Sequence, residues 1–441
     1  MSMSGNSAAP FARQHFTRRA LSARRSWSGA AWSIAILALA GGCTGDALLS
    51  GPASMAARSA GGGASIGACA RLVSDTEPRS APALDMPGYL QSATDPAFGT
   101  KITRVTGDPG ETIPVVGGTW QEIAGPEYAK DPAWNADQSM MVLKRGASDW
   151  LIVDGNDYHV LYLTGAFWGT EFRWHPTLPD IMVYSTDGGG VGHWNVRQDS
   201  QAMKYEEPGG FHGGGFGPWE GNLSNDGNYV VVDAFDSDEQ IMFWAVNIST
   251  GERVSPIIAA ADLGLDSIDW VSISPLGRYI VVSRDSHDQR VLDVHGGETV
   301  ASWEHMGHYD LGVDADGNEV AFNAEGVMRR LSDGSPTELV STGTTDYHSS
   351  TRNVSALGWG YGSLMGSGPL DGEIVAEELK PGGGIRRLVH HRSSGASAGG
   401  YDHSVFATAS PDGLRVLYRS DWGDSSSPVY GFVADVTDLC R

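Results

Sequence analysis

Positive charge is scarce in this sequence: 30 lysines and arginines face 53 acidic side chains, a net charge of −23. Such a surface repels nucleic acid and anionic lipid. It also disfavours polyanionic glycans, except where arginines gather within the roughly 8 Å over which salt screens. Cysteine is scarcer still, with three in 441 residues, so at most one internal disulfide can form. Long apolar runs are missing as well. The stretch from Ala30 to Ala40 is too short to span a hydrocarbon core of about 30 Å. No long amphipathic helix is visible after the N-terminus, and the hydrophobic period is two nearly everywhere, which leaves an all-β chain.

The N-terminus carries Arg13, Arg18, Arg19, Arg24 and Arg25 with no acid, then that short apolar run, then Gly41-Gly42-Cys43. This pattern reads as a signal peptide over residues 1–42. Thr17-Arg18-Arg19-Ala20-Leu21 resembles a twin-arginine export signal, and Ala40-Gly41-Gly42-Cys43 resembles a bacterial lipoprotein cleavage box with Ala40 where Leu is usual. The expected product is an exported monomer, either anchored to a bacterial envelope through a lipid on Cys43 or cleaved and secreted. Without the five arginines the balance is 25 cations to 53 acids, a net −28. Residues 43–95 are rich in Gly, Ala, Ser and Pro without periodicity and read as a flexible tether. With Cys43 lipidated, Cys69 and Cys440 remain as a pair that an oxidising compartment would join; two unpaired thiols are the alternative.

A small β unit recurs through residues 96–441. Asp137, Asp226, Asp316 and Asp412 each occupy a tight-turn position ahead of a short apolar strand, and Gly227, Gly317 and Gly413 follow three of them. Trp174-His175-Pro176 before Ile181-Met182-Val183-Tyr184, and Ser274-Pro275-Leu276-Gly277 before Tyr279-Ile280-Val281-Val282, repeat the arrangement. A further unit around Leu357-Gly358-Trp359 has lost the turn signature but keeps the spacing. Seven units of about 40 to 50 residues, each with several short strands, predict a seven-bladed β-propeller. Trp134, Trp174 and Trp359 are expected to anchor blade cores. The last unit lacks an outer strand after Val429-Tyr430-Gly431-Phe432-Val433, whereas Thr100-Lys101-Ile102-Thr103-Arg104-Val105-Thr106 has no partners of its own. Pairing the two closes the ring with an N-terminal strand and removes an exposed edge.

In a propeller the loops entering the inner strands converge on the mouth of the central channel. The residues just before each turn are Glu171 and Arg173, Trp219 and Glu220, Asp266 and Asp269, His308 and Asp310, His348 with Arg352 and Asn353, and Tyr401-Asp402-His403. Glu171, Arg173, Trp219, Glu220 and Asn353 are the expected substrate contacts.

Three stretches carry a family resemblance. Gly307-His308-Tyr309-Asp310 is the first, and Ser350-Thr351-Arg352-Asn353 with Gly358-Trp359 is the second. The third is His391-Arg392-Ser393, followed by His403, Ser410-Pro411-Asp412-Gly413 and Ser420-Asp421-Trp422-Gly423. Together they resemble the propeller polysaccharide lyases of the oligogalacturonate and ulvan lyase type. The resemblance implies β-elimination on a uronate-containing polysaccharide or oligosaccharide, with a divalent metal (Mn, Zn or Ca) and no organic cofactor. By the same resemblance His308 and His403 would hold the metal and Arg352 would pair with the substrate carboxylate.

Elimination across a uronic acid needs a cation on the carboxylate and a base for the adjacent carbon acid. His348 or Tyr347 would be that base. Two other readings stay open: His308 and His403 as packing elements between blades with Arg352-Asn353 tying loops together, and the whole ring as a non-catalytic lipoprotein module that binds a glycan, peptide or envelope protein.

Overall fold

The computed structural model describes residues 65–441, apart from 147–148, 164–170, 266, 285–287 and 305. The signal segment, Cys43 and Asp266 therefore lie outside the described residues. The chain from Gly61 to Arg441 is one compact unit, and it folds as a seven-bladed β-propeller. Among the described residues no helix is long and apolar enough to cross a membrane.

Four blades are regular. Blade two runs Glu171–Trp174, Ile181–Thr186, Gly190–Asn195 and Ser200–Tyr205 from the channel outward. Blade four begins at Trp270–Ile273, blade five at Asp310–Val313 and blade six at Tyr347–Ser350. In blade one the inner strand shrinks to Ala124–Gly125, and in blade three to two isolated bridges, His212 with Phe235 and Leu223 with Val230.

The alternation of each strand serves two neighbours at once. In blade three Val230 and Val232 pack toward blade two, while Val231 packs toward blade four. Seven apolar clusters among the described residues, one at each blade junction, result from this arrangement. The turns are local: Asp226 accepts bonds from the Ser224 hydroxyl at 2.6 Å and the Asn228 amide at 3.0 Å, and Asp412 repeats this with Ser410 and Leu414. In the fifth unit Asp314, rather than Asp316, is the acceptor, taking the Asp316 and Asn318 amides. Gly227 holds φ +77°, and a Cβ there would sit 2.1 Å from the His175 ring, so the turn of one blade is roofed by the previous one.

Blade seven closes the ring. Thr408–Ala409, Arg415–Ser420 and Tyr430–Asp435 are followed in space by Lys101–Arg104 and then Ser92–Thr94. Lys101 pairs with Asp435 and Arg104 with Phe432, antiparallel. The expected tether needs correction from residue 65 onward. Ile66, Cys69 and Leu72 are buried with Trp359, Tyr361 and Tyr418 between blades six and seven. Val73 bridges to Arg387 on the outer strand of blade six, so this segment covers an edge that would otherwise stand open. Cys69 and Cys440 are joined as a disulfide. Low periodicity hid this segment because it packs through isolated apolar residues rather than as a strand.

Glu377, in the blade-six strand Glu373–Glu378, is buried, and neither carboxylate oxygen has a hydrogen-bond partner among the described residues. Burial pushes its pKa well above the ordinary 4.5. The fold therefore favours the protonated form, and the stability tied to it is present below the ordinary pKa and lost as pH rises toward the raised one. Glu377→Gln is expected to melt with the parent at pH 4 and above it at pH 8, diverging by up to about 1.4 kcal/mol per pH unit within that window. Parallel melting curves at all pH values would refute it.

Candidate functional site

His348 lies on the inner strand of blade six and is 3% exposed. Its ring centroid stands 4.5 Å from that of His308, 4.6 Å from Phe406 and 5.4 Å from Tyr128. Neither ring nitrogen has a hydrogen-bond partner among the described residues. Burial, then the charges of His308, Arg419 and Lys130, hold its pKa well below the usual imidazole range, so it is a neutral acceptor at neutral pH. Arg419 packs on the same aromatic: its guanidinium carbon is 4.2 Å from the Phe406 ring centroid. It is 3% exposed, and among the described residues no carboxylate lies within ion-pair distance of it. Burial draws its pKa down to about 10, with Asp402 and Glu127 acting against that. A buried guanidinium and a buried imidazole thus share one aromatic ring, and a buried polar group without a partner is costly unless something else satisfies it.

Backbone strain occurs beside His348, at His308 and Phe406, and again at Trp219 next to Arg173. His308 at φ +31°, Phe406 at +44° and Trp219 at +70° are non-glycine residues in the left-handed region. Such conformations cost about 1–3 kcal/mol each and persist where surrounding structure holds them.

The other expected residues are engaged elsewhere. Tyr347 alternates away from His348: its hydroxyl donates to the Gly307 carbonyl at 3.1 Å and accepts from Asn323 at 3.0 Å, and burial pushes its pKa up. It ties blade six to blade five and is not placed as a base. Arg352 meets Asp310 through Nε and a terminal nitrogen, both at 3.1 Å. Asp310 thus holds the position expected for a substrate carboxylate. Asn353 donates to the Ala356 and Trp359 carbonyls, which makes it a loop tie.

Arg173 binds Glu171, the Asp131 carboxylate at 3.0 Å and the Trp219 carbonyl at 3.0 Å, linking blades one, two and three across the channel. Burial raises Glu171 to about 7 and Asp131 to about 6, against the pull of Arg173. Glu220 pairs with Lys130 at 2.8 Å, and that ammonium sits 3.8 Å over the Trp270 ring. Of the expected contacts in these blades, the Trp219 side chain is the most open at 63% exposed, Glu220 is half-buried, and Glu171 and Arg173 are buried.

His308 and His403 keep different company. His308 neighbours Tyr128, Tyr347 and His348, whereas His403, on the short turn Tyr401–His403, has Nδ1 2.7 Å from the Asp421 carboxylate. Asp421 is held ionised by Ser394 and His403, although burial alone would raise its pKa. Among the described residues no three His, Cys, Asp or Glu side chains converge to hold a metal ion. Among the described residues, then, His308 and His403 do not complete a site for the expected divalent metal. Sequence reading missed Arg419, Phe406 and Tyr128. The one signal for Arg419 is a cation inside the otherwise apolar run Val416-Leu417-Tyr418.

No protein-family model and no curated protein matches the sequence. Solved structures do. An oligogalacturonate lyase in complex with manganese is 13% identical, with a TM-score of 0.56 over 81% of this chain and 98% of that one. An oligogalacturonate lyase from Vibrio parahaemolyticus is 12% identical, with a TM-score of 0.53 over 80% of this chain and 97% of its own. At such identities the likeness is one of fold: the chain is a seven-bladed β-propeller built like those lyases.

Proposed function

We propose that the protein is a lyase that cleaves a uronate-containing polysaccharide by β-elimination at the His348 side of the channel mouth. The observation that carries this reading is the contact of Arg419 and His348 with one ring, Phe406: among the described residues Arg419 has no carboxylate within ion-pair distance and neither ring nitrogen of His348 has a hydrogen-bond partner. Arg419 takes the substrate carboxylate and stabilises the negative charge that develops on it, the role first assigned to Arg352. A ring nitrogen of His348 removes the proton from the carbon beside the carboxylate. The electron pair left behind forms the carbon–carbon double bond as the glycosidic C–O bond breaks, and the leaving oxygen collects a proton from water. The fold likeness supports a saccharide substrate. The Cys69–Cys440 bond supports an exported enzyme, because disulfides persist in oxidising compartments.

The test is ultraviolet absorbance of the conjugated, unsaturated uronate product while the protein is offered a panel of acidic polysaccharides. We expect a rise on at least one of them. His348→Ala is expected to lower kcat by about 10²–10⁴-fold, and Arg419→Ala by about 10²–10³-fold. A second reading, a non-catalytic binding ring, is favoured by the engagement of Arg352, Tyr347 and Asn353 in ties between loops and blades. No absorbance change on any glycan, together with saturable binding of one, would establish that reading instead.

A further inference from the structure

Beside the His348 site lies a second concavity of about 230 Å³, between the Tyr401–His403 turn and the loop carrying Ser426 and Ser427. It is below the roughly 300–1,000 Å³ of pockets for drug-sized ligands, which sets its capacity at a single sugar ring. Tyr401, 61% exposed, offers an aromatic face of the kind on which the apolar face of a sugar ring packs. The ring of Tyr401 also stands 5.1 Å from Phe406 and 6.5 Å from His348, so this cavity and the Arg419–His348 pair adjoin through one side chain.

Its polar groups differ in kind from those next door. Glu122 and Asp402 line it, and no lysine or arginine does. His403 also lines it, oriented by the bond from Nδ1 to Asp421. Ser426 and Ser427 direct their hydroxyl protons to Asp424, which leaves their oxygens as acceptors. Carboxylates and oriented hydroxyl oxygens accept hydrogen bonds from sugar hydroxyls, but they repel a carboxylate or sulfate.

We infer that this cavity is a subsite for a neutral sugar, so that the glycan taken by the ring is a heteropolymer in which a neutral residue adjoins the uronate. The adjoining uronate rests on the function proposed above; the neutral-sugar preference of the cavity does not. A homopolymer of uronates would place a second carboxylate against Glu122 and Asp402.

The experiment follows the His403 and Tyr401 ring resonances by NMR while the full chain is titrated with methyl glycosides of galactose, xylose, rhamnose and N-acetylglucosamine, and separately with methyl galacturonoside. At least one neutral glycoside is expected to shift both signals saturably at millimolar concentration, with affinity at least tenfold above that of the uronate. Tyr401→Ala should weaken it at least tenfold, read at His403. The double variant Glu122→Gln, Asp402→Asn should bring the uronate within a few-fold of the neutral sugar; both side chains are exposed, so the fold is retained. Equal response to uronate and neutral glycosides, or no response to any neutral one, overturns the inference. Because no turnover is read, absence of lyase activity would leave this result standing by itself.

Discussion

Replacing Glu373 by alanine is expected to lower the unfolding free energy by about 3–5 kcal/mol at neutral pH, the usual cost of removing one partner from a buried ion pair. Glu373 and Arg387 are both fully buried, with Nε of the arginine 2.8 Å from one carboxylate oxygen and a terminal nitrogen on the other. The remaining donor reaches Asp75 at 3.0 Å and the Glu77 carbonyl at 2.7 Å. Without Glu373 the guanidinium keeps the Glu77 carbonyl and one carboxylate, Asp75, which is 45% exposed and partly screened by water. Since domains are stable by roughly 5–15 kcal/mol, this one change removes a large part of the margin. Chemical denaturation gives the number. A loss under about 1 kcal/mol would mean that water or a neighbouring group replaces the carboxylate and that the pair contributes little.

Deleting residues 100–106 is expected to cost still more. Lys101–Arg104 forms four residue pairs with Tyr430–Asp435, at about 1 kcal/mol for each hydrogen bond formed. Ile102 is fully buried, which adds roughly 1.5–3 kcal/mol. Thr106 accepts from the Gly431 amide at 2.9 Å, and Arg104 lies 4.0 Å over the Tyr430 ring. The deletion also exposes the Tyr430–Asp435 edge, so the variant should both melt far below the parent and associate on size-exclusion chromatography. A cooperative melt at the parent temperature would show that the ring does not depend on this strand.

The propeller was legible because its signals are local. Ser224, Asp226 and Asn228 make their turn within five residues, and the alternation of Tyr229–Phe235 is visible without knowing its neighbours. The closing strand was legible by subtraction, since one blade lacked a strand and one strand lacked a blade. The site was much less so, because its partners are distant in sequence. Arg352 reads as a cation poised for substrate until Asp310, 42 positions earlier, is found to hold it. Lys130 and Glu220 are 90 positions apart, and Arg387 and Asp75 are 312 apart. Arg419 shows the reverse error. A charged residue in an apolar strand suggests an inter-blade ion pair, yet among the described residues no carboxylate lies within ion-pair distance of it, and Asp402 and Glu127 act only through their charge.

Cys69 and Cys440 are 371 positions apart, so almost all of the described chain lies inside one covalent loop. A protease that cuts any exposed connection within that loop creates new ends but releases no fragment. The two pieces stay joined through the sulfur bridge and stay seated in the same sheets. A nicked molecule thus remains one body until it is also reduced.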